Sequence, residues 1–269
     1  MLEGVIMKTE EPLYRSQRGF SLIELMIAVL LSGVLASAVI GVYISVIAQA
    51  DNNNQQAQLN HNLRASLDLM VSELRRAGGY EAGAIFDVNA FTASYTNNPF
   101  TIAGYNLALG SCSVNVCDCV IYSYDLNRDG LVGVSTNPAA TLADATIENT
   151  ANVEQFGFRL NGGMLEMRRS RSTIANTGFD CTSSTGMWQD LTDPEITIDD
   201  FNIRYIDESG STLVAPVQID IGNGDGVCSV GETCFEVRNL DVEISGSLGE
   251  FSLTVSSRVR VRNDRLRGL

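Results

Sequence analysis

Residues 15–25 read Arg-Ser-Gln-Arg-Gly-Phe-Ser-Leu-Ile-Glu-Leu, and this junction decides how the rest of the chain is organised. Two arginines precede Gly19, and from Phe20 an apolar run extends to Ala48 with one charged residue in it, Glu24. An apolar run of about 18 residues or more can cross a bilayer as a helix. Because a carboxylate near the start of such a span costs a few kcal/mol, Glu24 is predicted to have a function there.

The junction resembles the type III signal of type IV prepilins and pseudopilins. Gly19, Phe20 and Glu24 carry the match, and Ser-Leu-Ile at 21–23 and the following leucine complete it. In that family a prepilin peptidase cuts after the glycine and methylates the new N-terminus, which leaves the glutamate at the fifth mature position. The resemblance implies a leader peptide over residues 1–19. It also implies that Glu24 neutralises the amine of Phe20, its own or a neighbour's, during assembly.

Two other interpretations of the N-terminus stay open. A secretory signal could be cut at Ala36-Ser37-Ala38, but the apolar run continues beyond that site and contains a charge. A plain signal anchor fits the length of the run but leaves Gly19, Phe20 and Glu24 unexplained.

Composition bounds the cellular context. The chain has 269 residues and a formal charge of −14. So acidic a protein is not expected to bind nucleic acid, which needs lysine and arginine to neutralise phosphate. Positive charge before the span orients the N-terminus toward the cytoplasm and exports the remainder. We therefore expect a single-pass inner-membrane protein that later reaches the periplasm or a pilus at the cell surface.

The helical pattern continues beyond the span. Leu59, Leu63, Leu67, Met70 and Leu74 recur at steps of three and four, which makes one apolar stripe. We predict a helix from Phe20 to Ala77, with residues 20–48 as its transmembrane and assembly half and residues 49–269 as a globular domain that includes its amphipathic half.

The remainder of the chain predicts strands at residues 119–124, 155–160, 164–168, 196–206, 235–244 and 251–261, with long loops at 80–118 and 170–195. Asn161-Gly162-Gly163 predicts a hairpin turn. Because the apolar stripe needs a sheet to cover it, the predicted fold class is α+β and pilin-like, a long helix on a mostly antiparallel sheet.

Residues 67–80, 119–125 and 156–160 resemble minor pilins of the PilW type, and the J-type pseudopilin of type II secretion is a close relative of that group. The resemblance implies a minor pilin in the complex that primes assembly and caps the tip. Its implied partners are other minor and major pilins, prepilin peptidase, the inner-membrane assembly platform and an adhesin at the tip.

Catalytic motifs are lacking, so an enzyme is not expected. Two acidic loops are candidate Ca²⁺ sites. Asp125, Asn127 and Asp129 resemble the first half of an EF-hand loop. In the second loop, Asn223, Asp225 and Glu232 would take positions 3, 5 and 12 of such a loop. The alternative for both is an Asx or glycine turn between strands.

Six cysteines follow the span, and an even number in an exported domain predicts disulfides, with buried free thiols as the alternative. Cys228 and Cys234 are close enough in sequence to be bonded to each other. Cys181 is expected to bond one cysteine of the cluster at 112, 117 and 119.

Arg258, Arg260 and Arg262 alternate with valines, so on a strand they would share one face. That face is either solvated or docks an acidic neighbour in an assembly.

The sequence thus predicts a minor prepilin that is cut by prepilin peptidase and joins a type IV pilus, and it leaves open whether the pilus serves twitching motility, cell adhesion or DNA uptake. The J-type pseudopilin is the first alternative. A membrane-anchored periplasmic protein that binds Ca²⁺ or carbohydrate is the alternative of another class.

Overall fold

The computed structural model describes residues 19–80, 98–101, 105–126, 154–169, 181, 187–221, 225–229, 232–262 and 265–268. Contacts divide the chain into two compact units, Met1–Asn53 and Asn54–Leu269. Residues 1–18 of the predicted leader (residues 1–19), Asn127, Asp129 and Asn223 lie outside the described residues.

One helix, α1, runs from Leu22 to Leu74, followed by a 3₁₀ turn at Pro99–Thr101. The strands are, in order, β1 (Ala108–Ser113), β2 (Val116–Ser123), β3 (Gln155–Asn161), β4 (Met164–Arg169), β5 (Met187–Asp190), β6 (Thr197–Ile206), β7 (Thr212–Leu213), β8 (Val217–Asp220), β9 (Thr233–Val237), β10 (Asn239–Leu248), β11 (Phe251–Arg260) and β12 (Arg265–Gly268).

These strands form two antiparallel sheets. The larger has nine strands in the order β11-β10-β6-β2-β3-β4-β5, with β1 paired to β2 and β7 paired to β6. The smaller has the order β12-β9-β8. A long helix with a mostly antiparallel sheet confirms the predicted α+β, pilin-like class.

The amphipathic half of α1 supplies one side of the core. Each of the five residues of the predicted stripe is buried: Leu59, Leu63, Leu67, Met70 and Leu74. They belong to one apolar cluster with inward-facing residues of β2, β3, β6, β10 and β11. Gly246 lies at a bulge in β10 and allows Leu63 of α1 to approach that strand closely. A Cβ at this position would lie 3.3 Å from Leu63 Cδ2 and 3.0 Å from the Thr197 carbonyl oxygen.

The helix ends three residues before the predicted Ala77. Residues 75–78 form turns, and Gly78 has a φ of 73°, the left-handed conformation that commonly terminates a helix. The N–H of Gly78 donates to the carbonyl of Ser123 across 2.7 Å, which fastens the end of the helix to β2.

Some strands differ from the prediction. The hairpin at Gly162-Gly163 forms as predicted, with φ of 58° and 81° at the two glycines and Asn161 opposite Met164. The segment predicted as one strand at 235–244 is two strands in different sheets, β9 and β10, which separate at Arg238. Strands β1 and β5 lie within segments predicted as loops.

Candidate functional site

The junction that the sequence singles out lies at the exposed start of α1. Gly19 and Phe20 precede the helix, and the Phe20 side chain is 86% exposed. A Cβ on Gly19 would meet no atom within 4 Å. None of the described residues therefore covers this peptide bond.

Glu24 takes part in a helix cap. The N–H of Ser21, the residue before the helix, donates to Oε2 of Glu24 across 3.2 Å. This is the reciprocal half of a capping box, in which the third helical residue satisfies the N–H of the capping residue. Sequence reasoning missed it, although Ser-Leu-Ile-Glu at 21–24 fits the capping-box pattern.

The first half of α1 exposes its apolar side chains on every face. Every residue from 20 to 54 is exposed, including Leu30, Val39 and Ile44 at about two thirds of their full areas. The helix is long and apolar enough to cross a membrane, and it lies near the N-terminus. Surface of this kind needs lipid or neighbouring protein to cover it.

The arginine row at the C-terminus has the predicted alternation. Arg258 and Arg260 are exposed on β11, and Val259 and Val261 are buried. Arg262 lies beyond the strand, with its N–H 3.4 Å from the Arg75 carbonyl oxygen. Docking of a neighbour by this row stays a prediction.

Arg258 also has contacts within its own subunit. It lies opposite Asp241 in the β10–β11 ladder, and Asp241 forms an ion pair with Arg204 of β6. Its guanidinium fills the space beside Gly210, where a Cβ would overlap it.

The two acidic loops are described in part. Asp125 lies two residues beyond the end of β2, and its N–H donates to the Gly79 carbonyl across 2.8 Å. In the second loop, Oδ1 of Asp225 accepts the Val227 N–H and Oε2 of Glu232 accepts the Ser229 N–H, both across 2.8 Å. These bonds are those of turns between strands. The described residues contain no group of three or more His, Cys, Asp or Glu placed to hold a metal, and Ca²⁺ binding stays a prediction.

Six cysteines form three disulfides. Cys228 bonds Cys234, and Cys119 bonds Cys181, which joins β2 to a residue 62 positions away. Cys112 bonds Cys117 directly across the β1–β2 hairpin. The sequence left this last pair open, since pairing across a hairpin depends on a strand, β1, that was predicted to be a loop.

Two family models match the chain. One, described as prepilin peptidase-dependent protein B, matches residues 52–261, which is most of the chain. The other, the prokaryotic N-terminal methylation motif, matches residues 14–40 and so covers the Gly19–Phe20 junction. No curated protein and no solved structure gives a significant match.

Proposed function

This chain belongs to the family of prepilin peptidase-dependent protein B, and from that premise we propose that it is a minor prepilin of the PilW type that joins a type IV pilus after processing. The observation that carries the proposal is the apolar segment 20–48, which is exposed on every face, follows a Gly-Phe junction and bears one carboxylate. A lipid bilayer covers such a helix before assembly, and the helices of neighbouring subunits cover it in a filament.

We propose the following division of the chain. Residues 1–19 are the leader, residues 20–48 anchor the protein and later pack in the filament, and residues 49–269 form the exported domain. The peptidase cuts between Gly19 and Phe20, and the new Phe20 amine is neutralised by Glu24 of the same or a neighbouring subunit. In a medium of low dielectric an unpaired charge is costly, so this pairing selects correctly placed subunits.

Processing is tested by mass spectrometry of the mature N-terminus in cells with and without prepilin peptidase. We expect N-methylated Phe20 in the first strain and uncut chain in the second. A terminus after Ala38 in both strains would overturn the assignment, because it would show cleavage as a secretory protein.

Membership of a pilus rather than a secretion pseudopilus is a separate question. Sheared pili from cells that carry both machineries are probed for the chain, and each machinery is deleted in turn. We expect the chain in sheared pili whenever the pilus machinery is present. Loss of the chain's filament signal on deletion of the secretion machinery alone would instead assign it to the J-type pseudopilins.

A further inference from the structure

A cleft in the globular unit, with a volume of about 410 Å³, is not accounted for by the proposed assembly through the helix. The β1–β2 hairpin, Tyr205 of β6, the segment that follows β7 and Glu236 of β9 line it. It therefore brings the large and the small sheet to one site.

Glu236 is the charged group of this cleft. Glu236 is 6% exposed, and the other residues that line the cleft are uncharged. Its carboxylate makes no hydrogen bond or ion pair to any side chain that the structure describes. Burial of an ionised carboxylate costs free energy unless a cation or hydrogen-bond donors compensate its charge. The carboxylate of Glu236 therefore favours a positively charged ligand in the cleft.

Tyr205 supplies a neutral hydroxyl beside that carboxylate. Burial raises the pKa of Tyr205 and the nearby Arg238 charge partly opposes this rise, so the phenol stays protonated at physiological pH. Arg238 itself is fully buried and does not line the cleft. The hydroxyl oxygen of Tyr205 can accept a second hydrogen bond from a cationic group held by Glu236.

The rim of the cleft is apolar and exposed. Val214 lines it and is 82% exposed. Val114 does not line the cleft itself but directly precedes Asn115, which does, and it is 90% exposed at the tip of the hairpin. Val114 and Asn115 have φ of 48° and 67°, a conformation that is an outlier for a β-branched residue. The Cys112–Cys117 disulfide closes the hairpin directly beneath this turn. The chain thus holds an unfavourable turn that presents a valine to solvent.

We propose that this cleft binds an arginine or lysine side chain of a protein partner, with Glu236 and Tyr205 receiving its charged end and the two valines contacting the partner's adjacent apolar residues. A protein is favoured over a small organic cation because a small cation would leave both valines exposed. Arginine anchors in pockets surrounded by apolar contacts are common at protein interfaces. The proposal does not depend on pilus assembly, since every residue it uses lies in the unit 54–269.

The test uses the purified full chain in detergent micelles. The probe is the pentapeptide Gly-Val-Arg-Val-Gly with blocked termini and a neutral fluorophore, and its partner probe carries citrulline in place of arginine. Fluorescence anisotropy should show that the arginine peptide binds about tenfold more tightly than the citrulline peptide, as expected for a charge-assisted hydrogen bond. Glu236→Gln should abolish this preference, and Val214→Ser should weaken both peptides.

Glu250→Gln is the matched control, because Glu250 is exposed at the β10–β11 turn and its substitution changes the net charge equally. It should bind both peptides as the wild type does. Val214→Ser alters only an exposed side chain, so it keeps the test valid if Glu236→Gln fails to fold.

Equal binding of the two peptides, or no measurable binding of the arginine peptide, would overturn the proposal. Arginine methyl ester that binds as tightly as the peptide would overturn the assignment to a protein partner.

Discussion

The N–H of Ser21 donates to the carboxylate of Glu24 across 3.2 Å, so the single charged residue of the apolar segment 20–48 caps the first turn of α1. Phe20 directly precedes Ser21, and cleavage after Gly19 would create an amine one residue away from this bond. The same carboxylate therefore has two candidate tasks, to cap the helix and to neutralise the amine. Substitutions at Glu24 can separate them.

Glu24→Gln should keep the cap and lose the charge, because glutamine serves the capping box as glutamate does. We expect the variant to be cut, to insert at least as well as the wild type and to keep its globular fold, since removing a charge favours insertion. Incorporation in pili should fall, because the Phe20 amine lacks its carboxylate. Immunoblots of sheared pili and of inner membranes measure both quantities.

Glu24→Ala is the companion variant, which loses the cap as well, at about 1 kcal/mol of local helix stability. If incorporation requires the charge of Glu24, the amount of Glu24→Ala protein in sheared pili should be as low as that of Glu24→Gln. Normal piliation by Glu24→Gln together with loss by Glu24→Ala would show that the cap is the essential function. Normal piliation by both would show that Glu24 is dispensable.

Two adjacent inward tyrosines should respond in opposite ways to loss of their hydroxyls. The Tyr122 hydroxyl is fully buried and has no hydrogen-bond partner among the described residues, and burial raises its pKa well above the usual value. Tyr122→Phe should therefore leave the unfolding free energy unchanged or raise it by about 1 kcal/mol. Thermal melts of the full chain in micelles provide the measurement.

Tyr124→Phe is the matched comparison. The Tyr124 hydroxyl donates to Glu73 across 2.8 Å, and Arg76 lies over its ring with its Cζ 4.1 Å from the centroid. Loss of the Tyr124 hydroxyl should lower the unfolding free energy by about 1 kcal/mol, since it leaves the Glu73 carboxylate with one hydrogen bond fewer. A larger destabilisation by Tyr122→Phe than by Tyr124→Phe would contradict the assignment of the hydrogen bonds.

Local periodicity explains what the sequence could predict. The stripe from Leu59 to Leu74 and the hairpin at Gly162-Gly163 are set by neighbours a few residues apart, and both are found. The Gly19–Phe20 junction is a contiguous motif, and it too is readable from the chain alone.

The missed features depend on contacts between distant segments. Strand β1 contains Gly110 and two serines, a loop-like composition, and is held by its pairing with β2 and by the Cys112–Cys117 disulfide. The division of one predicted strand at Arg238 places β9 with β8 and β12, which the local pattern does not reveal. The cleft at Glu236 joins residues of the β1–β2 hairpin, of the segment 205–216 and of β9, which are far apart in sequence, so no spacing indicated it.

Calcium binding by the loop around Asp225 is tested by its effect on thermal stability. A ligand that binds only the folded chain raises its stability by mass action. If the loop binds Ca²⁺, melts of the wild type should shift upward on its addition, and Asp225→Ala or Glu232→Ala should remove the shift. Coincident melts of the wild type with and without Ca²⁺ would refute the site.

The variants are compared by the Ca²⁺-dependent shift of the melting temperature and not by the melting temperature itself. The carboxylates of Asp225 and Glu232 also accept backbone N–H bonds, so removing either carboxylate lowers stability even without a metal. Asp207→Ala is the control. The Asp207 carboxylate likewise accepts bonds from Ser209 and Ser211, but it lies in the turn between β6 and β7. This variant should keep the full shift.

Gly110 should be intolerant of a side chain because it lies against the Cys119–Cys181 disulfide. Gly110 is opposite Cys119 in the β1–β2 ladder, and a Cβ there would overlap Sγ of Cys181. Gly110→Ala should cost about 1–3 kcal/mol, as overpacking does. Cys181→Ser alone should cost about 4 kcal/mol, since the disulfide closes a loop with a sequence separation of 62.

If the overlap with Sγ is the cause, the Gly110→Ala, Cys181→Ser double variant should lose less stability than the two single losses added, because the serine oxygen is smaller and no longer bonded in place. Chemical unfolding of the four proteins in micelles completes the cycle, and strict additivity would show that Gly110 is constrained by something other than this disulfide.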